Sequence, residues 1–91
     1  METALKAFAH AHQTQYENRL RGNSNRSLTN AIGVVTYWLR ANPGYANEPL
    51  NVFLKRLHDP VFVFYIRNLG PRRVEWLDEY FSHARVDADP A

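Results

Sequence analysis

D-P-V-F-V-F-Y-I-R-N-L-G-P, residues Asp59 to Pro71, is the densest apolar run in the chain. Periodicity does not separate a buried strand from a buried helix when every position is apolar, and β-branched and aromatic residues favour a strand. The residues at the two ends favour a helix. Asp59 can accept hydrogen bonds from the first free N–H groups, and Pro60 suits the first helical position. Gly70 suits the left-handed residue past a helix end. We therefore predict a short helix, apolar on most sides and central to the core.

The residues before this stretch predict two amphipathic helices, because apolar side chains recur at three- and four-residue steps. The first is predicted over residues 3–21, with Gly22 as its stop. Its inward face is formed by Leu5, Phe8, Ala9, His12, Tyr16 and Leu20. The second begins at Asn25 or Ser27 and runs to about Ala41, where A-N-P-G ends it. Its inward stripe is formed by Leu28, Ala31, Ile32, Val35 and Leu39, with Trp38 beside it.

Two further helices complete the predicted fold. One begins at Asn47 and ends near His58, with its inward side formed by Leu50, Phe53, Leu54 and Leu57. The last runs from Pro71 to about Arg85, with its inward side formed by Val74, Leu77, Phe81 and Ala84. Five short helices with short connections predict an all-α, compact single-domain bundle over residues 1–85. Residues 86–91 are predicted to form a flexible acidic tail.

The composition indicates one globular domain. Hydrophobic residues make up 45% and charged residues 22% of the 91 residues, which argues against disorder along the whole chain. No apolar run approaches the roughly 18–20 residues of a membrane span. The chain has no Cys, which fits a reducing compartment and removes thiolate metal ligands. We therefore expect a soluble intracellular protein, cytoplasmic by default, with no membrane partner.

Positive charge is unevenly distributed along the chain. The net charge is only +2, yet residues 3–74 carry ten basic side chains against three acidic ones. From Glu75 onward, five acidic residues stand against Arg85 alone. Nine of the eleven basic residues are Arg, which suits bidentate contact with phosphate or carboxylate. GC-rich codons would produce the same bias.

The sequence contains no motif for catalysis, a cofactor or a metal. His10 and His12 are two positions apart, so a helix points them in different directions. No serine lies in a G-x-S-x-G context, and the glycines form neither a P-loop nor a dinucleotide fingerprint. Three acidic residues of the last helix share one face, and a solvated face paired with Arg72 is the favoured interpretation. We therefore predict a non-enzymatic protein with no cofactor, no metal and no evident small-molecule substrate.

Nucleic-acid binding is one of two functions that the surface residues support. Three arginines surround the loop before the second helix, whose N-terminus offers free N–H groups and the positive end of the helix dipole. The predicted binding set is Arg19, Arg21, Arg26, Ser27, Asn30, Tyr37 and Arg40. A second basic set would extend it if both fold onto one side: Lys55, Arg56, Arg67, Arg72 and Arg73. Against this function, the net charge is low and a standard helix-turn-helix fits poorly.

Docking on a protein is the other function. Tyr, Trp and Arg are enriched at interface hot spots, and a domain of this size cannot bury all of its large rings deeply. The predicted partner-binding set is Tyr37, Trp38, Arg40, Trp76 and Tyr80. The acidic last helix of one chain could also meet the basic middle of another, which would form a homodimer. The leading hypothesis is a small regulatory or adaptor protein that docks on a protein partner, with an inhibitor or a homodimer as two forms of this hypothesis. Nucleic-acid binding is the alternative.

Overall fold

Six α-helices form the part of the chain that the computed structural model describes, residues 2–22 and 25–88, with side chains as far as residue 82. The helices are α1 (Ala4–Leu20), α2 (Arg26–Ala41), α3 (Pro43–Ala46), α4 (Leu50–Arg56), α5 (Pro60–Phe64) and α6 (Pro71–Ala88). No strand forms within these ranges, and the prediction of a compact all-α domain is confirmed.

Several helix boundaries differ from the prediction. The single turn α3 was not expected, and it starts at Pro43, which suits the first position of a helix. Helix α4 begins at Leu50 rather than Asn47, with Pro49 as the residue before its first turn. Helix α6 continues through residues 86–88 of the predicted tail, and residues 89–91 of that tail lie outside the described part.

Three helix ends follow the predicted capping chemistry. Asn25 caps α2 by accepting a hydrogen bond from the Leu28 N–H at 3.1 Å, and Asp59 caps α5 by accepting one from the Val61 N–H at 2.9 Å. Gly22 has a φ of +78° directly after the end of α1, as expected for a helix stop. The prediction for Gly70 was wrong. Asn68, with a φ of +67°, is the left-handed residue between α5 and α6, a conformation that Asn tolerates better than most residues.

Helix α2 buries the predicted stripe, whereas α1 is turned relative to its predicted face. The buried residues of α1 are Ala4, Ala7, Phe8, Ala11 and Gln15. Tyr16 and Leu20, which were expected to lie in the core, are 56% and 71% exposed. The small alanines explain the difference, because they are buried in the core while contributing little to an apolar pattern based on large side chains.

The predicted helix over this apolar stretch is present as α5, but the prediction that it is central to the core was wrong. Val63 and Ile66 are buried and Phe62 is half-buried. Val61, Phe64 and Tyr65 are 65%, 86% and 71% exposed. These three positions follow the i, i+3, i+4 spacing of one helix face, so α5 rests on the domain with one side only.

The core is built around two groups of aromatic rings. Phe8, which is fully buried, lies with its ring centroid 5.8 Å from that of Phe53 and 4.8 Å from that of Phe81. Phe62 meets the rings of Trp38 and Phe53 at 5.7 and 6.0 Å, both edge-to-face. Such pairs contribute about 0.5–1.5 kcal/mol each beyond the area that they bury. The rings therefore connect α1, α2, α4, α5 and α6 in one continuous core.

The start of the chain is fixed against the segment before α4. The N–H of Ala4 donates to the carbonyl of Glu48 at 2.8 Å, and the N–H of Leu50 donates to the carbonyl of Glu2 at 3.1 Å. Thr3 and Pro49 thereby form an isolated antiparallel bridge.

Among the described helices, none combines the length and the apolar character that crossing a membrane requires.

Candidate nucleic-acid interface

A groove of about 840 Å³ runs along the outer face of α2, between α1 on one side and the α5–α6 connection on the other. Its lining residues are His12, Tyr16 and Arg19 of α1; Thr29, Asn30, Gly33, Val34, Tyr37, Trp38 and Ala41 of α2; and Arg67, Asn68 and Arg73. We call this surface the arginine groove. Seven of the thirteen lining residues belong to α2, and the others come from the segments on either side of it.

Three guanidinium groups from separate segments of the chain border the arginine groove. Arg19 and Arg67 are exposed, and Arg73 is partly buried and donates a hydrogen bond from Nη1 to the carbonyl of Asn68. No Asp or Glu is among the described residues that line the groove. The carboxylate of Glu17, two positions from Arg19, accepts a weak hydrogen bond from Gln13 at 3.4 Å. The groove is therefore a surface of unbalanced positive charge.

Exposed tyrosine rings lie in the same groove. Tyr37 on α2 is 78% exposed and Tyr16 on α1 is 56% exposed. Neither ring is paired with another aromatic ring in the described part of the chain. Trp38, by contrast, is half-buried and lies against the core. Amide side chains of Asn30 and Asn68 add hydrogen-bond donors and acceptors to the lining.

A smaller cleft of about 390 Å³ continues the arginine groove towards the start of α6. It shares Asn30, Asn68 and Arg73 with the groove. It adds the guanidinium of Arg72 and the half-buried ring of Trp76. We call it the side cleft. The two together form one basic surface with aromatic side chains along it.

The residues predicted for nucleic-acid binding divide into two groups. Arg19, Asn30 and Tyr37 line the arginine groove, and Ser27 lines the side cleft. The exposed residues Arg21, Arg26 and Arg40 line neither. The N-terminus of α2 is partly occupied, because the Leu28 N–H already donates to the cap residue Asn25.

The residues predicted for protein docking also divide. Tyr37 and Trp38 line the arginine groove, and Trp76 lines the side cleft. Tyr80 is half-buried, with its ring 5.1 Å from that of Phe81, and it lines neither surface. Arg40 lies outside both. Of the two residues that both predicted sets share, Tyr37 lines the arginine groove and Arg40 does not.

The second basic set is divided by the fold as well. Arg67 and Arg73 line the groove and Arg72 lines the side cleft. These three lie on the same side as Arg19, as expected if the second set extends the first. Lys55 faces a separate cavity near the end of α4. Tyr16 and His12 were missed as surface residues, because their helical spacing placed them on a predicted inward face.

Arg56 serves the fold. Its Nε and Nη2 donate to the Glu48 carboxylate at 2.8 and 2.6 Å, and its guanidinium carbon lies 5.3 Å from the ring centroid of Tyr45. The hydrogen bond to Glu48 raises the pKa of Arg56 above its ordinary value. This side chain remains cationic at every working pH and joins α4 to the segment before it.

One group of polar side chains superficially resembles a hydrolase triad. His58 Nε2 lies 2.8 Å from Asp78 Oδ2, and Ser82 lines the same cavity of about 410 Å³. No hydrogen bond joins Ser82 to His58 in the described part of the chain, and the His58 side chain is 61% exposed. A histidine that acts as a general base has to come within hydrogen-bond reach of its nucleophile. The pair is better explained as a surface contact between the α4–α5 corner and α6.

The described residues contain no group of three His, Cys, Asp or Glu side chains that could hold a metal ion. The chain matches no known protein family, no characterised protein and no solved structure. A functional proposal therefore rests on the chemistry of the arginine groove, in which guanidinium groups lie beside exposed tyrosine rings and amide side chains.

Proposed function

We propose that the protein is a small non-enzymatic regulatory protein that binds nucleic acid in the arginine groove. The observation that carries the proposal is the convergence of Arg19, Arg67 and Arg73 on one open groove that contains two exposed tyrosines and no carboxylate among its described lining residues. Guanidinium groups fit phosphate oxygens bidentately, and tyrosine rings offer stacking surfaces for bases. The proposal thus accounts for charge and rings together.

The arrangement of the charges supports a chain-like ligand. The three arginines lie on α1, on the α5–α6 connection and on α6, and Arg72 extends them into the side cleft. A single phosphate would need one or two of these groups, whereas a polymer with regularly spaced phosphates can engage all of them at once. The low net charge of the whole chain does not oppose this, because a local basic surface attracts the ligand.

A second candidate is an adaptor that docks an acidic protein segment in the same groove. Tyr37 and Trp38 in the groove and Trp76 in the side cleft are of the types enriched at interface hot spots. Guanidinium groups also bind carboxylates bidentately. The nucleic-acid proposal explains the exposed tyrosines better, since a flat unpaired ring is a binding surface for a base and adds less to an ionic contact with carboxylates.

The test compares two triple variants that remove the same charge. Arg19→Gln, Arg67→Gln and Arg73→Gln together change the groove, and Arg21→Gln, Arg26→Gln and Arg40→Gln together serve as the matched control on exposed positions outside it. Binding of a fluorescent oligonucleotide is measured by anisotropy across KCl concentrations from about 50 to about 200 mM. Circular dichroism melting confirms that both variants are folded.

The groove variant should lose most of the affinity and flatten the salt dependence. Three lost phosphate contacts on a single strand lower the slope of log K against log salt by about 2, at about 0.7 per contact. The control should change the slope by less than half as much. Equal losses in both variants, or a wild-type protein that binds polyglutamate but neither DNA nor RNA, would overturn the proposal and, in the second case, favour the adaptor.

A further inference from the structure

We infer that the arginine groove selects single-stranded nucleic acid over a duplex, an inference that rests on the proposed function. The shape of the site is the first reason. Proteins that read a duplex insert a protruding helix or ribbon into the major groove, which is about 12 Å wide. The outer face of α2 is flanked here by α1 and the α5–α6 connection, which line the same groove. Helix α2 therefore does not stand out from its neighbours as a recognition helix does.

The exposure of the tyrosine rings is the second reason. Tyr37 is 78% exposed and Tyr16 is 56% exposed, and their rings belong to different helices of one groove. A base in a duplex is already stacked on its neighbours, so it is not available to stack on these tyrosine rings. A base in a single strand is free to stack on them. The two rings therefore contribute binding energy only when the bases are unpaired.

The size and the polar lining of the groove agree with this ligand. Its volume of about 840 Å³ lies in the range of pockets that hold small ligands, roughly 300–1,000 Å³, which is room for bases turned towards the protein. Asn30 and Asn68 line the groove with amides that can bond to exposed base edges. Arg19, Arg67 and Arg73 then follow the phosphates of the same strand.

The experiment compares one oligonucleotide of about 16 nucleotides, a length that spans the larger single-strand site sizes, with its own blunt duplex, at low salt. The variants are Tyr37→Leu, which removes the aromatic ring, and Tyr37→Phe, which keeps it. Tyr65→Leu is the matched control, because Tyr65 is 71% exposed and lies outside the groove.

The single strand should bind at least tenfold more tightly than the duplex. Tyr37→Leu should weaken single-strand binding by roughly tenfold, in line with the loss of one stacked base, while Tyr37→Phe and Tyr65→Leu should leave it unchanged. Binding of the duplex with equal or greater affinity would overturn the single-strand inference and leave the nucleic-acid proposal standing. Absence of binding to either form would overturn both. An effect of Tyr65→Leu equal to that of Tyr37→Leu would remove the groove from the explanation.

Discussion

Gly33 lies in the middle of α2 and faces the ring of His12 on α1, and replacing it with alanine should stabilise the protein. A methyl group at this position would lie 3.3 Å from His12 Nε2 and 3.7 Å from Cε1. Those distances are short, so the ring has to move by a few tenths of an ångström. Opposing this cost is the gain of about 0.8–1.0 kcal/mol that alanine brings over glycine inside a helix.

The exposure of His12 decides which effect is larger. The side chain lies at the surface, so its imidazole can turn away from α2 without moving the core. A side chain held off its preferred rotamer costs about 0.5 kcal/mol at the low end. The net result should be a stabilisation of about 0.3–0.5 kcal/mol. For a domain of this length that corresponds to a melting temperature higher by about 1–4 °C.

Urea denaturation of four proteins measures this balance: the wild type, Gly33→Ala, His12→Ala and the double variant. Without the imidazole, alanine at position 33 should contribute the full helical gain of about 1 kcal/mol. The coupling between the two positions then equals the steric cost. If Gly33→Ala destabilises the protein in both backgrounds, the contact that opposes the methyl group is not His12, and the reasoning fails.

Two further perturbations test the burial that the fold assigns. Phe8→Ala should cost about 3–5 kcal/mol in the free energy of unfolding, because Phe8 is fully buried and its ring packs against those of Phe53 and Phe81. Phe64→Ala removes the same atoms, but Phe64 is 86% exposed, so the free energy of unfolding should change by less than about 0.5 kcal/mol. Urea denaturation measures both variants. Similar losses in the two would contradict the placement of α5. Asn68→Ala should lower the free energy of unfolding by about 1 kcal/mol, because alanine tolerates the left-handed backbone at this position poorly. Asn68→Gly should be neutral or stabilising. An alanine variant as stable as the glycine variant would contradict a left-handed conformation at residue 68.

Local sequence signals predicted the features of the fold that depend on neighbours along the chain. The stripe of α2 and the caps at Asn25 and Asp59 were correct, because each is determined within one or two helical turns. The predicted face of α1 was wrong because three of its five buried residues are alanines, which add little to an apolar pattern. The burial of α5 was wrong because an apolar helix becomes central only if neighbours cover all its sides, and that depends on the packing of distant segments.

The same limit applies to the arginine groove. Arg19 and Arg73 are far apart in the sequence, and only the packing of α6 against α2 brings them to one surface. Arg21 and Arg26 were better candidates by sequence distance, yet the groove excludes them. The crossing angles that decide such convergence scatter widely for helices of similar sequence. The sequence could therefore predict that arginines form the proposed binding surface, whereas the structure was needed to show which of them lie on one face.

The bridge between Thr3 and Pro49 bears on the order in which the chain folds. Its two hydrogen bonds join residues 2–4 to residues 48–50, so they close a loop that contains α1, α2 and α3. Closing a long loop costs entropy that only formed contacts inside it can offset. Helices α1 and α2 are joined by a short connection and contact each other extensively, so we expect this local pair to form first. The bridge that fixes the start of α1 is then expected to close later, when α4 docks.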